Sequence, residues 1–200
     1  LLTYAFKVAE VDSPDIFGET GDADACVDMR PVDSTWNGLC FDHHPGHPKQ
    51  EERKYTLVWG EEPASKIVYD MFKEFIPPEH HWKMAIGVAG DGRAEIVPLE
   101  IWRRFPILLS RLQSVYEGRG EYLKLYPMPL YLRIISGINA ACKIPQKWYS
   151  AYTIMRAAED PFDVLYDDAI NLARKLVAEE RRRAIKDHQA IDLSLIHISE

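Results

Sequence analysis

Apolar and polar positions alternate over residues 3–11, with Tyr4, Phe6 and Val8 on one side, a pattern that predicts a half-buried strand. Residues 12–24, rich in Asp, Gly, Ser and Pro, predict an exposed loop. Two short continuous apolar runs follow. Ala25-Cys26-Val27 ends at Asp28, and Gly38-Leu39-Cys40-Phe41 ends at Asp42-His43-His44. Each reads as a buried parallel strand carrying polar residues at its carboxyl end. The link over residues 32–37 is too short for a crossover helix. Either it is an irregular turn or another strand lies between the two. Residues 55–59 predict a further strand, closed by Gly60.

The period then becomes helical. Pro63-Ala64-Ser65 opens a helix reaching about Phe75, with Ile67, Val68, Met71 and Phe72 as its apolar face, and Pro77-Pro78 stops it. A second helix starts near His80 and breaks at Gly90-Asp91-Gly92; its small residues Gly87, Ala89 and Gly90 suit close approach to another backbone. The pattern over residues 98–118 predicts a mixed helical stretch, and a Tyr-Pro-Met-Pro turn at 126–129 precedes an apolar segment over 130–142. Helices are predicted over 145–158 and from Pro161 onward. The last is a single long helix with a stripe of Phe162, Leu165, Ala169, Leu172 and Leu176, and a basic end at Arg181-Arg182-Arg183 and Lys186. That basic end reads first as a solvated helix terminus complementing the helix dipole, and second as a contact for nucleic-acid backbone.

At 200 residues the chain suits one domain with a small appendage. A net charge of −7 gives no global basic field, so any nucleic-acid contact must come from a local patch. Clustered acids can also be metal ligands. Cys26, Cys40 and Cys142 match no zinc or disulfide spacing, and an odd count favours reduced, buried thiols in a cytoplasmic protein. No apolar run reaches the roughly 18 residues of a transmembrane helix, and no membrane partner is expected. The chain opens Leu1-Leu2-Thr3-Tyr4 with no initiator Met, and residues 193–200 read as a non-native tail; it is expected to be a fragment of a longer protein.

The chemistry gathers at Asp28, Asp42, His43, His44 and Asp91. In α/β sheets the ligand crevice lies at the carboxyl ends of parallel strands, and Asp and His are the residue types that hold hard or borderline divalent ions. His80-His81 reads as structural. A clip made from His43 and His47 alone is disfavoured, because Pro45-Gly46 breaks the helix that would align them.

Asp28, then Asp42-His43-His44-Pro45, then Asp91 at the end of Trp82-Lys83-Met84-Ala85-Ile86-Gly87-Val88-Ala89-Gly90 resembles motifs II, III and IV of the DHH phosphoesterase superfamily. Gly137-Ile138-Asn139-Ala140-Ala141 and the helices after it resemble the stretch that follows the catalytic core in RecJ-type single-strand exonucleases, without the Gly-Arg such proteins carry there. The resemblance covers residues 22–187. It implies an α/β fold, a Rossmann-like parallel sheet over residues 1–118, followed by a helical segment over 119–192. It implies two divalent ions, manganese with magnesium as the alternative, held by Asp28, His43 and Asp91. By the same resemblance His44 contacts the scissile phosphate and Asp42 orients the histidines. The implied activity is two-metal hydrolysis of phosphodiester bonds in single-stranded nucleic acid. The alternatives are a phosphodiesterase for short oligonucleotides or cyclic dinucleotides, and a non-catalytic binding scaffold. The family's first motif, a histidine followed by aspartates that supplies further metal ligands, is missing; Asp22-Ala23-Asp24 lies too close to Asp28 to serve, so the fragment as it stands is expected to be weakly active or inactive. Oligomeric state leaves no trace in the sequence.

Overall fold

The computed structural model describes residues 24–33, 35–117, 120–144 and 148–197; the strand and most of the loop expected over residues 3–24 lie outside them. The architecture is mixed α/β. Strands β1 (Ala25–Val27), β2 (Leu39–Asp42) and β3 (Thr56–Trp59) form a parallel sheet in sequential order, with Cys26 opposite Cys40 and Asp42 opposite Trp59. All three carboxyl ends therefore face the same edge.

β1 and β2 are direct neighbours joined by an irregular turn, so the first of the two expected alternatives holds. Trp36, within that link, takes the place of a crossover helix: it packs with Cys26, Cys40 and Tyr55 in one buried cluster. Gly38 makes the close approach feasible. A Cβ there would sit 2.0 Å from the Trp36 ring and 2.7 Å from the Asp24 carbonyl oxygen, itself the acceptor for Leu39 N–H. Gly38→Ala is therefore expected to destabilise the fold by about 1–3 kcal/mol, the usual cost of overpacking, read as a lower urea midpoint at unchanged m-value.

The opposite face of β2 is covered by α1 (Ala64–Phe72), whose Phe72 ring meets Phe41 edge-on at 6.0 Å. The helix ends at Phe72 and a 3₁₀ turn, Lys73–Phe75, completes the expected span. Val68 and Tyr69 are its buried face, whereas Met71, expected there, is half exposed. α2 (Trp82–Gly90) is buried nearly all round, as suits a helix in which Lys83 is the one polar residue. Gly87 lets it approach α1, since a Cβ would meet the Ser65 side chain at 2.7 Å, while Gly90 faces open space. Tyr69, Ile76, Met84, Ala85, Val88, Val97 and Ile101 form the core on this side. His81 is structural, as expected: its Nδ1 accepts from the Tyr69 hydroxyl and its Nε2–H donates to the Ile76 carbonyl.

Two expectations are overturned. The helical stretch over 98–118 stops early: α3 covers Leu99–Arg104, Pro106 starts a 3₁₀ turn, and β4 (Leu112–Glu117) pairs antiparallel with β5 (Gly120–Leu125) as a hairpin. α4 (Leu130–Cys142) follows, and its Arg133 donates to Gln113 of β4 while stacking over Tyr126. The long final helix is in fact two, α6 (Pro161–Tyr166) and α7 (Asp168–His197). Asp167 breaks it by accepting from the N–H groups of Ala169 and Ile170, so the expected stripe crosses a boundary. Leu172 and Leu176 are exposed; Ile170 and Ala173 take the buried face. The backbone of α7 continues to His197, into the segment read as a tail.

The chain divides into two compact units, Leu1–Ile135 and Ser136–Glu200. In the second, α5 (Trp148–Ala157) contributes Ala151 to a core with Ala140, Ala141, Ile170 and Ala173. Gly137, in the stretch likened to RecJ-type proteins, is there a packing residue: a Cβ would lie 2.5 Å from Ile170. Among the described residues no helix is long and apolar enough to cross a membrane.

Candidate metal centre

Every candidate residue lies in the first unit, at the carboxyl edge of the sheet. Asp28 follows β1, and its N–H extends the ladder to the Phe41 carbonyl at 2.8 Å. Its φ is +61°, in the left-handed region that Asp tolerates better than most side chains. Positive-φ residues of this kind cluster at functional sites. Asp91 caps α2: Gly92, with φ +77°, lets the chain turn back onto the Ala89 carbonyl and end the helix there.

Between these carboxylates stands His43. Its Nε2 is 3.1 Å from Asp28 Oδ1 and 3.8 Å from Asp91 Oδ2. Burial and the neighbouring Asp91 charge raise the pKa of Asp28, with the two imidazoles only partly offsetting them. Two like charges are thus held at one imidazole nitrogen, an arrangement a cation relieves. Asp28, Asp42, His43 and His44 bring ligand atoms within 4.8 Å of one another and could hold a metal ion. All five sequence-derived residues are brought together.

Asp42 is fully buried and is the hub. Oδ1 accepts from the backbone N–H of His43 (2.8 Å) and His44 (3.2 Å) and from His44 Nδ1 (2.7 Å). Oδ2 accepts from Nε2 of His47 at 2.9 Å. Burial pushes Asp42 up, but these donors together outweigh it and hold the carboxyl below its usual range. The same bond to Asp42 raises His44, aided by the charges of Asp42, Asp28 and Asp91. With Nδ1–H committed to Asp42, His44 presents Nε2 outward; its side chain is half exposed.

His47 is the residue that sequence reasoning missed. Its side chain is buried, and its Nδ1 accepts from the Tyr55 hydroxyl at 2.9 Å, which fixes Nε2–H toward Asp42. The missed signal is Gly46. At φ +93° it turns the chain back, so no helix is needed to return His47 to the strand end. Cys40, Asp42 and His47 form a second group that could hold an ion, buried beneath the first.

The Asp42–His44 pair sets a pH window in metal-free protein. A lowered Asp pKa gives stability that is present above the unfolded value, about 3.9, and lost as pH falls through the folded value. A raised His pKa gives stability present below about 6.5 and lost as pH rises through the folded value. The stability difference between wild type and His44→Gln is therefore expected to peak between about pH 4 and 6.5. It should shrink on both sides in urea titrations run with EDTA.

No family model, curated protein or solved structure matches the chain.

Proposed function

We propose that this chain is a metal-dependent phosphodiesterase of the DHH type, acting on single-stranded nucleic acid in the manner of a RecJ-like exonuclease. The carrying observation is that His43 Nε2 stands between the Asp28 and Asp91 carboxylates while His44 is aimed by a buried Asp42. Sequential parallel strands with the candidate residues at their carboxyl edge support the Rossmann-like assignment.

The donor set fits divalent ions. Asp28, His43 and Asp91 would hold them, from three different elements; a mixed oxygen and imidazole set suits manganese, with magnesium as the alternative. Such ions supply an activated water and charge stabilisation for phosphodiester hydrolysis. The protein groups do the rest. Asp28 and Asp91 gather the negative charge that binds the cations. His44, its pKa raised, offers a charge-assisted N–H from Nε2 to a phosphate oxygen. Asp42 is a positioning residue: it locks the His44 tautomer and is itself locked by His47 and Tyr55. A binding scaffold gains nothing from two carboxylates held at one imidazole, an arrangement that costs stability without a cation.

The test is hydrolysis of a 5′-labelled single strand in manganese, beside dinucleotides and cyclic dinucleotides, by the chain joined to an upstream segment that supplies the family's first motif. Stepwise shortening of the long strand, lost on chelation, is expected. Cleavage of dinucleotides alone moves the substrate class to the small phosphodiesters. No metal-dependent hydrolysis of any of them overturns the reading in favour of a scaffold.

A further inference from the structure

We infer that Trp59 is a stacking platform for a nucleobase of the substrate, immediately beside the position of its phosphate. The inference rests on the phosphodiester reading and deepens it, since it makes the ligand a nucleotide rather than a bare phosphodiester.

Trp59 is the last residue of β3, in register with Asp42 on β2, and the next residue, Gly60, donates its N–H to the Asp42 carbonyl at 3.4 Å. Its indole N–H donates to the backbone carbonyl of His44 at 3.3 Å. The residue whose imidazole Nε2 faces outward thus also anchors the indole. Neighbouring strands lie about 5 Å apart, so the Trp59 and Asp42 backbones are adjacent. The side chain is nevertheless 52% exposed, whereas Trp36 and Trp82 are 7% and 0% exposed in their cores.

A single exposed apolar residue is ordinary on a protein surface. Three features set this one apart. It is the largest side chain type, its polar atom is bound by protein rather than left to water, and it stands at the strand edge where the candidate site opens. A ring held by one edge cannot swing away, so offering its face to a ligand costs little conformational entropy. Aromatic faces bind any base by stacking, without reading its identity. In a nucleotide the base and phosphate are joined through one sugar. A phosphate at His44 therefore brings its own base, or its neighbour's, to the indole.

The experiment measures binding of two phosphorothioate-linked pentamers, which resist cleavage, by fluorescence anisotropy in manganese. One carries thymines and the other is base-free deoxyribose phosphate. Wild type is expected to bind the thymine strand about tenfold more tightly, the increment of one stacked base. Trp59→Phe should retain most of that preference and Trp59→Ala should lose it, with thermal melts confirming that both variants fold. Equal binding of the two strands by wild type overturns the inference, and so does a preference that survives in Trp59→Ala. Hydrolysis of bis(4-nitrophenyl) phosphate, which has no base, by the chain supplied with the family's first motif separates the two levels. If that hydrolysis occurs without base preference, stacking alone fails; if it is absent, the phosphodiester reading fails and stacking with it.

Discussion

Asp42→Ala is expected to lower the free energy of unfolding by about 3–5 kcal/mol, the range for removing one partner of a buried charged network. The substitution leaves the Nε2–H of a buried His47 and the backbone N–H groups of His43 and His44 without their acceptor. Each stranded buried donor costs about 1–3 kcal/mol. Asp42→Asn should cost less, because the network can partly invert. The new amide nitrogen would face His47 Nε2, which must then become an acceptor. His47 would carry its proton on Nδ1 and donate to the Tyr55 oxygen, reversing that bond. Combining Asp42→Asn with Tyr55→Phe removes the oxygen that accepts the reversed bond, so the double variant should be less stable than the sum of the singles. Urea unfolding of the four proteins in a double-mutant cycle checks this. An additive pair contradicts the relay.

The second large effect carries two opposite signs. Asp28→Asn is expected to stabilise the metal-free protein and to weaken metal binding at least about 100-fold, beyond the loss typical of residues that only support a ligand. Burial and Asp91 hold the Asp28 pKa above its unfolded value, so its ionised form is a penalty in the folded state. That penalty is absent below the unfolded pKa near 3.9 and grows as pH rises through the folded value. Asn also suits a φ of +61°. In EDTA at neutral pH the variant should therefore melt higher than wild type, and the gap should close on acidification. Manganese should reverse the order, since ligand at about 100 times its Kd adds about 2.7 kcal/mol to a protein that binds it. Thermal melts with and without manganese read both signs at once.

The strand tips were legible because a buried parallel strand leaves a short, unbroken apolar run ending abruptly in polar residues. Asp28 and Asp42-His43-His44 are such endings. Asp91 was legible from the glycine that stops its helix. The Trp36 link was not, since an irregular crossover has no period; only the packing of Trp36 against Cys26, Cys40 and Tyr55 explains it. The disfavoured His43–His47 clip does not form; His47 reaches Asp42 instead, through the left-handed Gly46, a partner that residue spacing alone does not reveal. The hairpin leaves no clear period in the sequence: Leu112-Gln113-Ser114-Val115-Tyr116 does not alternate, and the buried position there is the polar Gln113 while Leu112 is exposed. The apolar residues just before it carried the helical period too far. The split of the final helix turned on Asp167, whose side chain caps the second piece in the midst of an apparently continuous stripe.

The most direct measurement is manganese binding followed by electron paramagnetic resonance, in which the signal of the free aqueous ion disappears as the ion is bound. The wild-type chain, His43→Ala and Asp91→Ala would be titrated side by side. Wild type should take up manganese, and each variant should bind at least about 100-fold more weakly while remaining folded. Wild type that leaves the free-ion signal unchanged, or variants that bind as tightly as wild type, would contradict a metal centre at Asp28, His43 and Asp91.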